Sequence, residues 1–145
     1  MNIIKLSATP STNIYLKDLA VTTDLPDFTI VVADNQTQGK GQMGSVWQVE
    51  PSSNLTFSVL LNGEYLSVED IFSVNVSIAN AICKVLLSFH FNNVTVKWPN
   101  DIMAYNKKIG GILIENNIKV NGAVQSVVGV GLNVNQINFE DLPKA

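Results

Sequence analysis

The sequence predicts a single α+β domain in which helices pack on a mixed, largely antiparallel sheet. The chain has 145 residues, of which 46% are hydrophobic. A chain of this size can bury a core without disulfide bonds or metal ions. Strand-like segments outnumber helical ones, and several of them adjoin through short turns. Because we find no repeat, linker or low-complexity segment, we expect one domain over residues 1–145.

The charge balance and the single cysteine restrict the possible classes of function. All nine basic residues are lysine and the formal net charge is −3, so the chain offers no basic face for a nucleic-acid backbone. Cys83 is the only cysteine, which rules out an intramolecular disulfide and favours a reducing compartment. We find no signal-peptide pattern and no apolar run of about 18 residues that would cross a membrane. We therefore expect a cytoplasmic protein that binds neither nucleic acid nor membranes.

The first part of the chain predicts three strands and one helix. Residues 2–6 form a short apolar strand. Residues 11–13, Ser-Thr-Asn, precede apolar residues at helical spacing, and we expect a hydroxyl or amide there to cap the helix. Residues 29–33 are continuously β-branched or small, as in a buried strand. A polar, glycine-containing stretch over residues 34–54 then leads to residues 55–61, whose alternation predicts a half-buried strand.

The longest predicted helix lies in the middle of the chain. Ser67 and Asp70 are spaced as in a capping box, and acidic residues in the first turn suit the helix dipole. Apolar residues then recur on one face as far as Phe89. Cys83 and His90 lie on this element, but two ligands do not make a metal site. We interpret Cys83 as a core residue and His90 as a helix-end residue.

The remaining elements are short strands joined by turns. We expect a hairpin-like turn over residues 105–108 and a tight turn at Asn121-Gly122. The strand candidates cover residues 94–98, 102–104, 109–114 and 124–132.

A glycine-rich segment lies between two predicted strands. Residues 39–44, GKGQMG, match the dinucleotide-binding pattern G-x-G-x-x-G, but no helix follows to hold a pyrophosphate. The segment is not a P-loop either, because Asp34 replaces its first glycine and Gly41 replaces its hydroxyl residue. What remains is a flexible loop that carries Lys40. It either closes over a ligand and presents backbone N–H groups to an anion, or it is a simple turn.

A second group of chemically useful side chains follows the predicted strand at 94–98. Residues 97–101, KWPND, place a cation, an amide and a carboxylate at the end of that strand. Lys108 comes shortly afterwards, followed by glycines inside strands at 110–111 and again within 129–133. Each fragment alone is consistent with a bulge or a hairpin. Their occurrence together predicts a ligand site with a local concentration of positive charge.

In this order the segments resemble the catalytic domain of biotin–protein ligases, also called biotin–[acetyl-CoA-carboxylase] ligases or holocarboxylase synthetases. The resemblance extends from about residue 6 to residue 135 and implies the class II synthetase type of catalytic fold. No DNA-binding winged helix precedes Ser11, as in members without a repressor function. The residues that carry the resemblance are Ser11-Thr12-Asn13, Gln36 to Gly41, Trp47, Lys97-Trp98-Pro99-Asn100-Asp101, Lys108 to Glu115 and Gly129 to Asn133.

The resemblance implies a two-step ligation. The carboxylate of biotin attacks the α-phosphate of ATP with the help of Mg²⁺, which yields biotinyl-5′-AMP and pyrophosphate. A lysine on a biotin carboxyl carrier protein domain then attacks the adenylate. Lys108 and Lys40 are the catalytic candidates, since cations must let two anions approach each other. We expect no dedicated metal ligands, because Mg²⁺ accompanies the triphosphate.

The resemblance also assigns the binding residues. A supporting role falls to four residues of the KWPND block, Lys97, Trp98, Asn100 and Asp101. The residues expected to contact biotin or the adenylate are Ser11, Thr12, Asn13, Gln36, Gly39, Lys40, Gly41, Gln42, Trp47, Lys108, Gly111, Leu113 and Asn133.

Two departures from the family pattern affect these expectations. The family loop commonly reads GRGRxGR, whereas this one has Gln42 and Ser45 at two cationic positions. Because arginine binds phosphate through a two-pronged fork, we predict weaker retention of the adenylate here. The family's catalytic domain also continues beyond the point that corresponds to Ala145. We therefore expect residues 1–145 to be an incomplete catalytic domain.

Three other functions stay open from the sequence. One is a biotin-binding remnant that has lost adenylation, the second is a lipoate-type ligase, and the third is an interaction module without catalysis. The sequence also leaves the oligomeric state open, a homodimer included.

Overall fold

A computed structural model describes residues 2–63, 66–120 and 122–139, and within them the chain forms seven strands and two α-helices. Asn121 of the predicted tight turn lies outside the described residues. The elements are β1 (Ile3–Leu6), α1 (Thr12–Thr22), β2 (Ile30–Ala33), β3 (Asn54–Leu61), α2 (Ile71–Ser88), β4 (Val94–Lys97), β5 (Asp101–Ala104), β6 (Lys107–Ile118) and β7 (Val124–Asn133).

The strands form one sheet in the order β1-β2-β3-β7-β6-β5-β4. β1 and β2 pair in parallel, with α1 as the connection between them. The other pairs among the described strands are antiparallel. The predicted mixed, largely antiparallel sheet is therefore confirmed.

The two helices cover opposite faces of the sheet. Val127 packs in a cluster with Leu16 of α1 and Leu60 of β3, whereas the next residue, Val128, packs in a cluster with Ala79 of α2. Successive residues of a strand point to opposite faces, so α1 and α2 lie on different sides of β7. The α1 side of the central strands is the side that carries the cavity described below.

Helix α1 is not capped in the way the sequence predicts. Ser11 occupies the N-cap position, but no side chain of residues 11–13 caps the helix. Instead the backbone N–H of Thr12 donates to Oε1 of Gln36, at 2.7 Å. The first N–H groups of a helix need acceptors, and here the chain beyond β2 supplies one. The local capping prediction was therefore wrong, because a long-range contact replaces the local one.

Strand β3 shows the predicted alternation, and the structure adds which face is buried. Thr56, Ser58 and Leu60 are buried, whereas Leu55 on the other face is 41% exposed. The buried face looks toward α1, which closes over it. Two polar residues at buried strand positions indicate a functional surface rather than a purely apolar core.

Helix α2 begins at the predicted capping box. Oδ2 of Asp70 accepts hydrogen bonds from the backbone N–H and the hydroxyl of Ser67, at 2.9 and 2.8 Å. One face of the helix, including Ala79, packs on the sheet. The outer face leaves Phe72 and Leu87 more than half exposed.

The apolar character of α2 corrects one part of the sequence argument. The helical segment over residues 68–88 contains an 18-residue window with a mean hydropathy of 1.6, and by length and composition alone it could cross a membrane. Our expectation that no apolar run reaches about 18 residues was therefore wrong. The inner face of this helix, with Ile78 and Ile82, packs against the sheet.

The turn between β5 and β6 is shorter than predicted. Tyr105 and Asn106 have positive φ angles of 50° and 63°, as in a two-residue hairpin turn of the primed type. Lys107 and Lys108 therefore belong to β6 and not to the turn. The register shifts at a bulge between Ile102 and Met103 of β5, so that Lys108 lies opposite Met103. Lys108 is consequently a strand residue with a defined direction.

Candidate active site

A cavity of about 500 Å³ lies on the α1 side of the central strands. Five parts of the chain line it: the start of α1, Gln36 beyond β2, the loop over residues 40–48, the turn before β5, and the middle of the sheet. Lys40 and Lys108 both line this cavity, and they do so together with residues 11–13. Positively charged groups from the loop and from β6 thus face the same enclosed volume.

Two glycines of β7 make room for the side chains that form the floor of the cavity. A Cβ atom on Gly131 would overlap the indole of Trp47, and a Cβ atom on Gly129 would overlap the amide of Asn13. The sequence argument expected these glycines to permit close approach by a ligand or a strand. The structure shows that an indole and an amide make that approach.

Asn13 joins α1 to two strands, β6 and β3, through three hydrogen bonds. Its Nδ2 atom donates to Oε2 of Glu115 at 2.8 Å and to the carbonyl of Leu113 at 3.3 Å. Its Oδ1 atom accepts from the hydroxyl of Ser58, at 2.6 Å. The polar atoms of the Asn13 side chain are thus engaged by protein groups. Asn13 shapes the end of the cavity rather than offering a free hydrogen bond to a ligand.

Gln36 and Ser11 provide the free polar groups at this end, which we call the polar end (Ser11, Thr12, Asn13 and Gln36). Oε1 of Gln36 accepts from the N–H of Thr12 at 2.7 Å and lies 3.0 Å from the Thr12 hydroxyl. Within the described residues, Nε2 of Gln36 and the hydroxyl of Ser11 have no hydrogen-bond partner. Both residues line the cavity, so they can donate hydrogen bonds to a polar ligand.

Another part of the cavity wall carries an ion pair. Nζ of Lys108 lies 2.7 Å from Oδ1 of Asp101 and 5.7 Å from the centre of the Trp47 ring. Nζ of Lys97 lies 4.0 Å from the other carboxylate oxygen of Asp101. The ammonium of Lys108 is thus held between a carboxylate and an aromatic face, where an approaching anion can reach it.

Glu115 lies behind the polar end and is ionised at neutral pH. Burial raises the pKa of Glu115, but hydrogen bonds from Lys17 and Asn13 and the charges of Lys17 and Lys40 outweigh that effect and lower the pKa below its ordinary value. The ion pair between Lys17 and Glu115 has an N–O distance of 2.8 Å. A carboxylate that accepts these bonds fixes the orientation of the Asn13 amide.

The cavity gathers most of the residues that the resemblance assigned, but three lie elsewhere. Gly39 lies behind Trp47, next to a second and more polar cavity of about 440 Å³. Lys97 is exposed and reaches only Asp101. Trp98 is 62% exposed and packs against Phe72 of α2, with ring centroids 5.5 Å apart. The assigned residues that line the cavity are Ser11, Thr12, Asn13, Gln36, Lys40, Gly41, Gln42, Trp47, Asn100, Asp101, Lys108, Gly111, Leu113 and Asn133.

Several residues of the site are absent from the sequence-based assignment. Thr56 of β3 lines the cavity, and Ser58 donates a hydrogen bond to the lining residue Asn13. Both are polar residues at alternate positions of an otherwise apolar strand, and that pattern could have found them. Within the loop, the additional lining residues are Met43, Ser45, Val46 and Gln48.

In the described part of the chain no three His, Cys, Asp or Glu residues lie close enough to bind a metal ion. Burial raises the pKa of the Cys83 thiol, which keeps it in its neutral and less reactive form. His90 follows the end of α2 in a left-handed conformation, with φ 61°.

Comparisons with known proteins identify the family. The sequence model of the biotin/lipoate A/B protein ligase family matches residues 6–133. The bifunctional ligase/repressor BirA of Escherichia coli is 31% identical over 131 residues, which cover 90% of this chain and 40% of BirA.

Two solved structures are similar over nearly the whole chain. The biotin protein ligase of Aquifex aeolicus in complex with biotin and ATP matches with a TM-score of 0.79 and 30% identity, over 97% of this chain and 55% of that one. The Leishmania major ligase in complex with biotinyl-5-AMP matches with a TM-score of 0.76 and 28% identity, over 99% of this chain and 62% of that one.

This chain spans less than two thirds of the length of each of these three relatives. Within that span, the family match covers both the loop over residues 40–48 and the strands that form the cavity floor. The chain belongs to the biotin/lipoate A/B protein ligase family.

Proposed function

We propose that this chain carries the biotin-activating site of a biotin–protein ligase. It binds biotin and ATP, forms biotinyl-5′-AMP, and passes the biotinyl group to a lysine of a biotin carboxyl carrier domain, where an amide bond forms and the acyl–phosphate bond breaks to release AMP and a proton. The observation that supports this most directly is that Lys40 and Lys108 line the same cavity as the free donors of Ser11 and Gln36.

The two ends of the cavity suit the two ends of biotin. The ureido ring has a carbonyl acceptor and N–H donors, which the polar end can pair. The apolar middle of the ligand can lie along the indole of Trp47. The carboxylate of the ligand then points toward Lys108.

Activation joins two anions, so positive charge is the main requirement. A carboxylate oxygen of biotin forms a bond to the α-phosphorus of ATP, and the bond between that phosphorus and the bridging oxygen to the β-phosphate breaks, which releases pyrophosphate. Lys108 and Lys40 stabilise the negative charge on the oxygens that surround the reacting phosphorus. The reaction needs no covalent bond to the protein, since alignment of the reactants supplies much of the acceleration.

The loop over residues 40–48 can separate the adenylate from water. Its two arms are already joined, because Gly41 N–H donates to Ser45 O at 2.8 Å and Trp47 N–H donates to Gly39 O at 2.9 Å. At its tip Met43 is fully exposed. An acyl adenylate is hydrolysed by water, so a loop that covers it protects the intermediate until the carrier lysine arrives.

The donor set at this site does not form a resident magnesium centre. Asp101 is the one carboxylate among the described residues that line the cavity, and it is engaged by Lys108. Mg²⁺ prefers several oxygen ligands and often takes them from substrate phosphates. We therefore treat Mg²⁺ as part of the ATP substrate and assign no step to a protein-bound metal.

Calorimetric titration tests the proposal. We expect heat of binding with biotin alone, and formation of biotinyl-5′-AMP, detected by mass spectrometry, when MgATP is added. Binding of neither biotin nor biotin with MgATP would exclude the ligase function for this chain. Binding of biotin without formation of the adenylate would instead identify a biotin-binding remnant.

The lipoate-type alternative has less support. The family includes both kinds of ligase, but the relatives reported above are a ligase/repressor and two biotin protein ligases. The paired donors of Ser11 and Gln36 also suit a ureido ring better than a dithiolane ring, which has no N–H or carbonyl group. Competition between biotin and lipoate for the cavity decides between the two, and we expect lipoate not to displace biotin.

A further inference from the structure

We propose that Ser58 and Glu115 determine which groups of the polar end donate hydrogen bonds and which accept them. Neither residue lines the cavity, but this pattern makes the polar end selective for a ligand with a ring N–H group. They are positioning residues that act through Asn13 and Thr12. The inference rests on the proposed function, since the ring concerned is the ureido ring of biotin.

The pattern starts at Glu115. Its carboxylate and the carbonyl of Leu113 can only accept hydrogen bonds, and both face the same atom of the Asn13 side chain, at 2.8 and 3.3 Å. Because both neighbours are acceptors, that atom must be the amide nitrogen of Asn13. Glu115 thereby forces the carbonyl oxygen of Asn13 to face Ser58.

The hydroxyl of Ser58 has a single proton, which it donates to Asn13. The hydroxyl of Ser58 lies 2.6 Å from Oδ1 of Asn13, an atom that has no proton to give. Ser58 must therefore donate to Asn13. The oxygen of Ser58 also lies 2.7 Å from the hydroxyl of Thr12, and toward Thr12 it can only accept.

The proton of Thr12 is consequently committed to the protein. Its two oxygen neighbours are Oγ of Ser58 at 2.7 Å and Oε1 of Gln36 at 3.0 Å, and neither has a proton to offer it. The Thr12 proton must point to one of them. Toward a ligand, Thr12 then offers only an acceptor, whereas Gln36 offers the N–H donors of its Nε2 atom.

The hydrogen bonds among Ser58, Thr12 and Asn13 are held in place because the three side chains are shielded from water. Ser58, Thr12 and Asn13 are each at most 3% exposed, so water cannot replace a lost partner easily. An acceptor beside a donor matches the adjacent N–H and C=O groups of a cyclic urea. A ligand with an oxygen in place of the N–H would face the Thr12 oxygen with a second acceptor, and the site would reject it.

The test compares biotin with its two cyclic carbamate analogues, in each of which one ureido N–H is replaced by oxygen. Calorimetry or competition gives the dissociation constants, and their ratio measures the selectivity. We expect the unmodified protein to bind at least one analogue about 100-fold or more weakly than biotin. In Ser58→Ala, Thr12 loses the nearer of its two acceptors and keeps only Gln36 at 3.0 Å, so its proton turns toward the ligand more readily, and we expect that ratio to fall about tenfold.

Ser126→Ala is the matched control. Ser126 is also buried, and its hydroxyl donates to Oδ1 of Asn116 at 2.7 Å, but neither residue lines the cavity. We expect this variant to keep the selectivity ratio of the unmodified protein. A role of Ser58 in stability alone would weaken biotin and the analogue equally and leave the ratio unchanged.

Glu115→Gln tests the other end of the same chain of bonds and keeps the shape of the side chain. Its amide can present N–H groups to Asn13, which releases the constraint on the Asn13 orientation, so we expect the ratio to fall here as well. Lys17→Met removes the ion-pair partner of Glu115 but leaves the carboxylate, and we expect it to keep the ratio. If Ser58→Ala does not fold, the comparison of Glu115→Gln with Lys17→Met tests the inference without it.

Two failures are distinguishable. Absence of biotin binding by the unmodified protein would overturn the proposed function and this inference with it. Binding of biotin with a selectivity ratio that is the same in the unmodified protein, Ser58→Ala and Glu115→Gln would overturn the inference and leave the proposed function intact.

Discussion

Asp101 holds the ammonium of Lys108 at the wall of the cavity, with a distance of 2.7 Å between Oδ1 and Nζ. The β-bulge at Ile102 and Met103 brings the two side chains together, because it places Asp101 opposite Gly111 and Lys108 opposite Met103. The cation that the proposed reaction needs is thus in position before any ligand binds. An incoming anion meets a lysine that already has one negative partner.

Replacement of Lys108 by alanine should reduce formation of biotinyl-5′-AMP by about 100- to 1000-fold, because the reacting oxygens lose a preorganised positive charge. The measurement is the rate of biotinyl-AMP formation with biotin and MgATP. Lys107→Ala is the control, since Lys107 is exposed on the same strand and does not line the cavity. Equal losses in both variants would contradict a specific role for Lys108.

The Lys108→Ala variant should still fold, because both partners of the ion pair are partly exposed and such pairs contribute at most about 1 kcal/mol. Thermal unfolding checks this. A large loss of stability would show that Lys108 is a structural residue of β6.

Replacement of Gly131 by alanine should destabilise the chain by about 1–3 kcal/mol, because the new methyl group overlaps the Trp47 indole. The free energy of unfolding in urea measures the effect. Combining Gly131→Ala with Trp47→Phe should recover part of that loss, since the smaller ring lacks the atoms that clash. If the two losses simply add, the indole does not limit the space at position 131.

Replacement of Gln42 by arginine should slow the release of biotinyl-5′-AMP by about tenfold, since an arginine can bind phosphate through two hydrogen bonds. Gln42 lines the cavity, so the new side chain starts from a suitable position. Retention of the radiolabelled adenylate on a desalting column provides the measurement. Val120→Arg adds the same charge at a fully exposed position away from the cavity and should not change retention.

The lowered pKa of Glu115 should make stability depend on pH in the acid range. The unfolded chain takes up a proton on this carboxyl near the ordinary pKa of a glutamate, whereas the folded chain does so only at lower pH. The contribution of Glu115 is therefore complete above that value and is lost as the pH falls through the folded-state pKa. Urea unfolding at a series of pH values should show a smaller acid loss in Glu115→Gln, and an unchanged profile would contradict this account.

Local patterns in the sequence predicted the elements well. The capping box of Ser67 and Asp70, together with apolar spacing, gave the start of α2, and alternation gave β3. Such signals depend on residues a few positions apart, and sequence inspection can see them. The predicted hairpin turn was too long because the positive φ angles of Tyr105 and Asn106 suffice for a two-residue turn.

The contacts that build the site were harder to predict because they join distant residues. Gln36 caps α1 from 24 positions away, and Ser58 meets Asn13 across 45 positions. Four residues of the KWPND block were expected to support the site, but Trp98 packs against Phe72 of α2 while Asp101 lines the cavity. Strand pairing and the bulge decide that separation, and neither is visible in a local motif.

The links that Asn13 makes to Ser58, Leu113 and Glu115 have a consequence for the order of binding events. These hydrogen bonds preorganise the polar end, so the protein loses little additional conformational entropy when a ring binds there. The tip of the loop at Met43, in contrast, is fully exposed, and we expect it to lose conformational freedom only when a ligand lies beneath it. Recognition of the ring should therefore come first and fast, and closure of the loop should set the slower step that follows.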